Sequence, residues 1–357
     1  MTFKRGWIPA ILAPAVVVAG GIMIPTIANA ATPPPQKTPA EVLTLIAGSH
    51  DAHYSGTVEQ SSDLGLPQLP SSLQTAPASG GFDAASVLQL VTGSHTAKVY
   101  VDGQSRQRVQ LLDTLSERDL IHSGTSMWTY DAKQRTATHV TASTAQAKSR
   151  MPQDVTPAAL ADRFIASIEP STAVTVSTGT DLGRGVYRLR LAPKTTATLV
   201  GDVVVTVDAQ TGVPLAVRVD ARHQSAPAVS VAFTSFDANR PAASVFAFSP
   251  PQGTTVKNVT LPGDLPEHPR VTTGDLPRPT VTGTGWTSVV ELPAGKAVGA
   301  AEAGASGSGA GALLDGLTQR VSGGRILQTS LFTVYLRDDG TVFAGAVPTA
   351  TLLAAAK

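Results

Sequence analysis

Apolar and polar residues alternate along most of the chain in short runs, and most runs end in a turn signal such as Asp-Gly or Ser-Gly. Alternation with a period of two is typical of half-buried β-strands. The pattern predicts strands at 53–60, 96–103, 107–113, 117–124, 126–132, 136–141, 171–178, 185–192, 201–208, 214–221 and 228–237. The chain is therefore predicted to be mainly β.

Two segments carry helical signals instead. Thr38 can cap a helix that begins at Pro39, and Glu41 completes a capping box with Thr38. The second helix is predicted over 156–168, where apolar residues recur every fourth position at Leu160, Phe164 and Ile168. Two amphipathic helices are thus available to cover one face of a sheet.

The stretch TVDAQTGVPLAVRV (206–219) raises the question of whether Asp208 and the nearby Asp220 form a pair of catalytic carboxylates. Gly212 can supply the positive φ of a tight turn between two strands. The residues predicted to share one face of these strands are Val203, Val205 and Val207, and then Leu215, Val217 and Val219. We interpret the stretch as a structural hairpin.

Composition and motifs argue against an enzyme. The net charge of +1 favours no nucleic-acid partner, and the absence of cysteine excludes thiol chemistry and thiolate metal sites. No nucleophile elbow, Walker loop or dinucleotide-binding loop is present. We interpret HDAH (50–53) as the polar end of a helix, and ERD (117–119) and RDD (337–339) as solvated turn charges. No catalytic residue, cofactor or metal site is predicted.

The N-terminus predicts export. Lys4 and Arg5 precede a long apolar run, and Ala28 and Ala30 form the A-x-A pattern of a signal-peptidase site. Residues 1–30 are therefore predicted to be a signal peptide, with an uncleaved membrane anchor as the alternative. No lipobox cysteine is available for lipidation. The protein is expected outside the cytoplasm, in the cell envelope or secreted.

Proline density divides the exported chain into segments. Residues 31–37 form a proline-rich leader, 38–249 a large β domain, 250–283 a proline-rich linker, and 284–357 a small α+β domain. In the small domain, 325–347 is predicted to form two strands joined by a hairpin turn at 338–340. The Gly/Ala-rich loop at 294–312 has no assigned role.

Three stretches, in this order and spacing, resemble the LolA-type lipoprotein-carrier superfamily, which includes LolA, LolB, LppX and RseB (MucB). They are SGTVEQ (55–60), GTSMWTYDAKQRTATHV (124–140) and VVVTVDAQTGVPLAVRVD (203–220), with the helix TPAALADRFIASI (156–168) between the last two. The added linker and small domain are similar to the two-domain plan of RseB-like proteins and of LolA-like exported proteins in high-GC Gram-positive bacteria. The resemblance implies a curved, incompletely closed antiparallel barrel with a helical lid.

The resemblance also implies a hollow that holds acyl chains, although the residue pattern alone fits an ordinary core under two helices equally well. The residues predicted to line that cavity are Leu45, Ile46, Val99, Val101, Val109, Leu111, Trp128, Tyr130, Phe164, Ile168, Leu189, Val203, Val205, Leu215 and Val217. The expected function is a carrier or sensor of lipids or lipoproteins. The alternative is an RseB-like, protein-binding regulator of a sigma/anti-sigma system without a bound lipid. The expected partners are acyl chains and a membrane-anchored protein, either an anti-sigma factor or a lipid exporter.

Overall fold

The computed structural model describes residues 32–66, 93–113, 116–141, 171–260, 279–293 and 316–357. The described chain forms one sheet of twelve strands and a second sheet of six. The large sheet is curved and not closed, and the small sheet carries its own helix. The predicted fold class is confirmed.

The large sheet contains every strand that the alternation pattern predicts, and one more. Its strands are β1 (His53–Ser62), β2 (Gly93–Asp102), β3 (Arg106–Asp113), β4 (Ser116–Ser123), β5 (Ser126–Asp131), β6 (Thr136–Thr141), β7 (Thr172–Asp181), β8 (Arg184–Pro193), β9 (Val200–Asp208), β10 (Pro214–Ala221), β11 (Val229–Asp237) and β12 (Thr255–Thr260). Their order in the sheet is β12-β6-β5-β4-β3-β2-β1-β11-β10-β9-β8-β7. All neighbouring pairs are antiparallel except β12 and β6, which are parallel.

Helix α1 (Pro39–Ala47) begins as the capping signal predicts. The Thr38 hydroxyl accepts a hydrogen bond from the Glu41 backbone N–H, and the Glu41 carboxylate accepts one from the Thr38 N–H. The helix buries Val42 and Ile46 against the sheet. We call the sheet face that α1 covers the helix face.

The structure contains the predicted hairpin between β9 and β10. Gly212 has a φ of 74°, and its Cα approaches the backbone of Leu45 so closely that a Cβ would lie 2.2 Å from the Leu45 carbonyl oxygen. A side chain at this position would therefore strain the turn and displace the end of α1.

The small sheet consists of β13 (Thr280–Thr282), β14 (Val289–Leu292), β15 (Gln319–Val321), β16 (Gly324–Gln328), β17 (Thr333–Arg337) and β18 (Val342–Gly345), followed by α2 (Thr349–Ala355). The predicted hairpin at 338–340 joins β17 to β18. The strand predicted before that hairpin is two strands, because the Thr329 hydroxyl accepts from the backbone N–H groups of Leu331 and Phe332 and fixes a turn.

The small sheet packs against the large one through several hydrogen bonds. The Trp286 indole N–H donates to the Thr172 hydroxyl at 2.7 Å. The Ala346 carbonyl accepts from the Leu199 N–H at 2.8 Å and from the Thr198 hydroxyl at 2.7 Å. These bonds attach the small unit to the β7–β9 side of the large sheet.

The predicted linker at 250–283 contains a strand near each of its ends, and the chain just before it crosses the large sheet. Residues 238–254, which we call the strap, run from β11 to β12 and so cross from one part of the large sheet to its far edge. Within 250–283, β12 pairs with the large sheet and β13 with the small one. The domain boundaries themselves stay a prediction.

Several predictions lie outside the described residues. They are the signal segment 1–30, the helix at 156–168 and the loop at 294–312. Among the helices that are described, none is both long and apolar enough to cross a membrane.

Candidate functional site

Cross-strand pairing sorts the residues of the large sheet into rows, because paired residues project from the same face. One row across β3 to β6 consists of Leu111, Arg118, Asp131 and Thr136. The next row consists of Val109, Leu120, Thr129 and Thr138. The pairing continues from Val109 to Val99 and through β1, β11 and β10 to β9, so both rows lie on the helix face.

These two rows form an open groove of about 270 Å³, which is the candidate functional site. Its walls are the eight residues of the two rows together with Asp119 and Tyr130, their strand neighbours. Val109 is buried in the floor, Leu111 and Leu120 are half-buried, and Thr129 is exposed. The groove therefore offers partly exposed apolar surface on an otherwise packed face.

The helix face over β8 to β10 is closed instead. Leu189, Val203 and Val205 are all 0% exposed, and Val217 packs with them. Ile46 of α1 belongs to the same cluster, and Leu45 packs against it. The structure thus brings six of the predicted cavity residues together as a core filled by the protein's own side chains.

Three further predicted residues belong to a second core next to the first. Val99, Val101 and Leu215 are buried there with an aromatic group built on Tyr54 and Phe233. The rings of Tyr54 and Phe233 meet edge to face with centroids 5.9 Å apart. These residues support the floor beside Val109 and do not line the groove.

The structure does not bring Trp128 and Tyr130 to the helix face. Trp128 pairs with Ile121 on β4, whereas Val109 pairs with Leu120, so the Trp128 side chain lies on the opposite face. On that face Trp128 stacks on His139 with centroids 4.1 Å apart.

The strap covers this opposite face, which we call the strap face. The Phe248 ring lies 5.3 Å from that of Trp128 and 5.5 Å from that of Tyr130. The Arg108 guanidinium donates to the Val245 carbonyl at 3.0 Å. The strap is thus attached across β3 to β5 by both aromatic and polar contacts.

Asp119 corrects the interpretation of ERD as solvated turn charges. Asp119 is 6% exposed, and its carboxylate accepts two hydrogen bonds from Arg108, at 3.3 and 3.0 Å. The interpretation of RDD as turn charge is confirmed, because Asp339 is exposed and accepts from the Thr341 N–H at 2.9 Å. Asp119 lies within β4 rather than in a turn, on the face that the strap covers, which the local sequence does not reveal.

The groove has one charged end. The Nε of Arg118 donates to the Asp131 carboxylate at 3.2 Å, and the Arg118 side chain is 48% exposed. In the row beyond the groove, His122 is buried and its Nδ1 has no partner among the described residues. Burial lowers the pKa of His122, and this outweighs the effect of the Gly124 backbone, which raises it.

Of the ten residues around the groove, the sequence prediction named Val109, Leu111 and Tyr130, although the Tyr130 ring lies on the opposite face. Leu120 was missed because β4 carries Leu120 and Ile121 in succession, so its pattern does not show which of them shares a face with Val109. The turn length supplies the missing signal. A two-residue turn at 124–125 places Ser123 opposite Ser126, and this register determines all the remaining pairs between β4 and β5. Phe164 and Ile168 lie outside the described residues.

No group of three or more His, Cys, Asp or Glu side chains in the described ranges is arranged to hold a metal ion. The groove residues are apolar, hydroxylic or ion-paired. What they can do chemically is bind the apolar part of a ligand and contact a polar group at one end.

No protein-family model matches the sequence, and no curated protein matches it. Among solved structures, the MucA/MucB complex of Pseudomonas aeruginosa matches 88% of this chain and 95% of its own, at 15% identity and a TM-score of 0.42. A LolA-superfamily protein of Nitrosomonas europaea matches 60% of this chain and 99% of its own, at 7% identity and a TM-score of 0.25. These values are too low to support a statement about function.

Proposed function

We propose that this chain is an exported carrier or sensor of lipids or lipoproteins, which holds an acyl chain in the groove of β3 to β6. The observation that carries the proposal is the apolar floor of Val109, Leu111 and Leu120 in an open site of about 270 Å³. Ligand pockets usually measure roughly 300–1,000 Å³. At about 270 Å³ the groove lies just below that range, and its size suits a single alkyl chain.

The hydrophobic effect can supply the affinity. Each CH₂ group that leaves water gains about 0.8 kcal/mol. A chain of about a dozen carbons would therefore gain most of a useful binding free energy, before the cost of ordering the ligand. The predicted signal peptide supports the location, since carriage of lipids outside the cytoplasm requires export.

A bulky side chain in the groove tests the proposal. Thr129 is exposed in the groove, so Thr129→Trp should fill the space above Leu120 and lower the affinity for palmitate at least tenfold, with little change in melting temperature. The matched control is Thr175→Trp, at an exposed position of edge strand β7. Unchanged palmitate binding by a folded Thr129→Trp variant would reject the groove as the lipid site.

Native mass spectrometry of residues 31–357, purified without detergent, tests the ligand class directly. A bound mass that organic solvent releases supports lipid binding and identifies the class. A protein that stays free of ligand after incubation with host lipid extract contradicts it.

A second candidate function is supported by the closed core over β8 to β10. Leu189, Val203 and Val205 fill much of the space that a larger lipid would need. That packing suits a protein-binding regulator of an envelope signalling system, whose partner would be a membrane-anchored protein. Under this alternative no lipid copurifies, and Thr129→Trp leaves the binding of that partner unchanged.

A further inference from the structure

The groove is chemically asymmetric. Its β3 side is apolar, with Val109 and Leu111, and Leu120 of β4 continues that surface. Toward β5 and β6 the residues become polar, with the hydroxyl groups of three threonines and the ion pair of Arg118 and Asp131. A ligand that matches both parts has an alkyl chain and one polar head.

Arg118 has unused hydrogen-bonding capacity. A guanidinium carries five N–H donors, and Arg118 uses its Nε for Asp131. Its two terminal nitrogens have no partner in the described part of the chain, whereas Arg108 uses all three of its nitrogens. Arg118 lines the groove, and its side chain is 48% exposed.

Both carboxylate oxygens of Asp131 already accept hydrogen bonds within the protein. One carboxylate oxygen accepts from Arg118, and the other accepts from the Gln134 backbone N–H at 2.8 Å. Asp131 therefore orients the guanidinium, and the terminal N–H groups of Arg118 are left as charged donors at this end of the groove. Donors in the fixed fork of an arginine match the two oxygens of a carboxylate.

We infer that the groove binds a single-chain fatty acid whose carboxylate is received by the terminal nitrogens of Arg118. Leu111 pairs directly with Arg118, and Leu120 and Val109 lie in the adjacent row. An alkyl chain that starts at Arg118 therefore passes at once onto the apolar floor. The inference rests on the proposed function, because it assigns the head group of the ligand that the groove holds.

Calorimetric titration of residues 31–357 with laurate and with dodecanol tests the inference, because the two ligands share a chain and differ in the head. Laurate should bind the native protein about tenfold more tightly than dodecanol, since the contact is charge-assisted but half exposed. Arg118→Gln should lower laurate affinity about tenfold and dodecanol affinity much less, because a hydrogen bond to a neutral hydroxyl is weaker than one to a carboxylate. Arg190→Gln is the matched control, because Arg190 also pairs with an aspartate, Asp202, and lies on the strap face.

The outcomes separate the two proposals. Equal affinity of the native protein for laurate and dodecanol, or an Arg118→Gln variant that keeps the preference for laurate, overturns the assignment of the head group alone. Absence of binding of either ligand to the native protein overturns the proposed function as well. A preference for laurate that Arg118→Gln abolishes and Arg190→Gln preserves supports the inference.

Discussion

The Asp208→Asn substitution should be among the most damaging single changes in the hairpin from β9 to β10. The Asp208 carboxylate is 0% exposed and accepts four hydrogen bonds. Two come from Arg184, at 2.6 and 3.0 Å, and two from Thr211, at 2.8 Å from its N–H and 2.7 Å from its hydroxyl. Replacing the carboxylate by an amide removes one acceptor atom and the negative charge from this site.

The magnitude follows from burial. Removing one partner of a buried ion pair costs about 3–5 kcal/mol, because the other charge stays desolvated. Arg184 retains 21% exposure, so water can reach part of its guanidinium. We therefore expect Asp208→Asn to lower the free energy of unfolding by about 3 kcal/mol, the lower end of that range.

The pH dependence gives an independent check. Burial by itself raises the pKa of Asp208, but the hydrogen bonds from Arg184 and Thr211 outweigh it and hold the pKa below its ordinary value. A carboxyl with a depressed pKa in the folded state binds its proton more tightly in the unfolded chain. Its stabilisation is therefore complete above the unfolded pKa of about 3.9 and is lost as the pH falls through the folded pKa.

Urea denaturation followed by circular dichroism measures the effect, provided that the m-value is unchanged. The control is Asp339→Asn in the exposed turn between β17 and β18, where an amide oxygen can still accept from Thr341 and no change in midpoint is expected. A loss below about 1 kcal/mol for Asp208→Asn, the range of surface pairs, would refute the reasoning from burial.

Two further predictions concern the strap face. Phe246 is 4% exposed, so Phe246→Ala should lower the free energy of unfolding by about 3 kcal/mol and loosen the strap. Hydrogen exchange should detect this as faster exchange of the amides in β12. Unchanged protection of those amides would contradict the prediction. The pKa of Asp220 is raised by burial, against the effect of Arg218, and also by the opposing Asp202 carboxylate. Because the pKa of Asp220 is raised in the folded state, its protonated form stabilises the fold at pH values below the ordinary pKa of 3.8, and this stabilisation is lost as the pH rises through the folded pKa. Asp220→Asn should therefore raise the melting temperature at pH 7 but not near pH 3. Equal changes in melting temperature at the two pH values would contradict this prediction.

Local signals sufficed where the structure depends on neighbours in the chain. The capping box of Thr38 and Glu41 predicted the start of α1, and Gly212 predicted the turn between β9 and β10. Alternation likewise predicted that Val203, Val205 and Val207 of β9 share one face, and all three are buried. In each case residues within a few positions determine the conformation.

The position of the groove could not be predicted in the same way. The sequence pattern predicts Trp128 and Val109 on one apolar face, yet the register of two hairpins, β3–β4 and β4–β5, puts them on opposite faces. The strap was missed because prolines near 250 are typical of a linker, while Phe246 and Phe248 pack on residues more than a hundred positions away. Contacts of that range leave no periodic signal in a single sequence.

The difference between the two halves of the helix face nevertheless has a cause in the sequence. Strands β8 and β9 place Leu189, Val203 and Val205 under α1, and such side chains can be fully enclosed without loss of hydrogen bonds. The half over β5 and β6 places Thr129 and Thr138 beside the apolar floor instead. A hydroxyl that is enclosed without a partner costs free energy, so this half is poorly suited to an ordinary dry core. It is suited to a surface that meets a ligand with one apolar and one polar part, and this is why we place the binding site there.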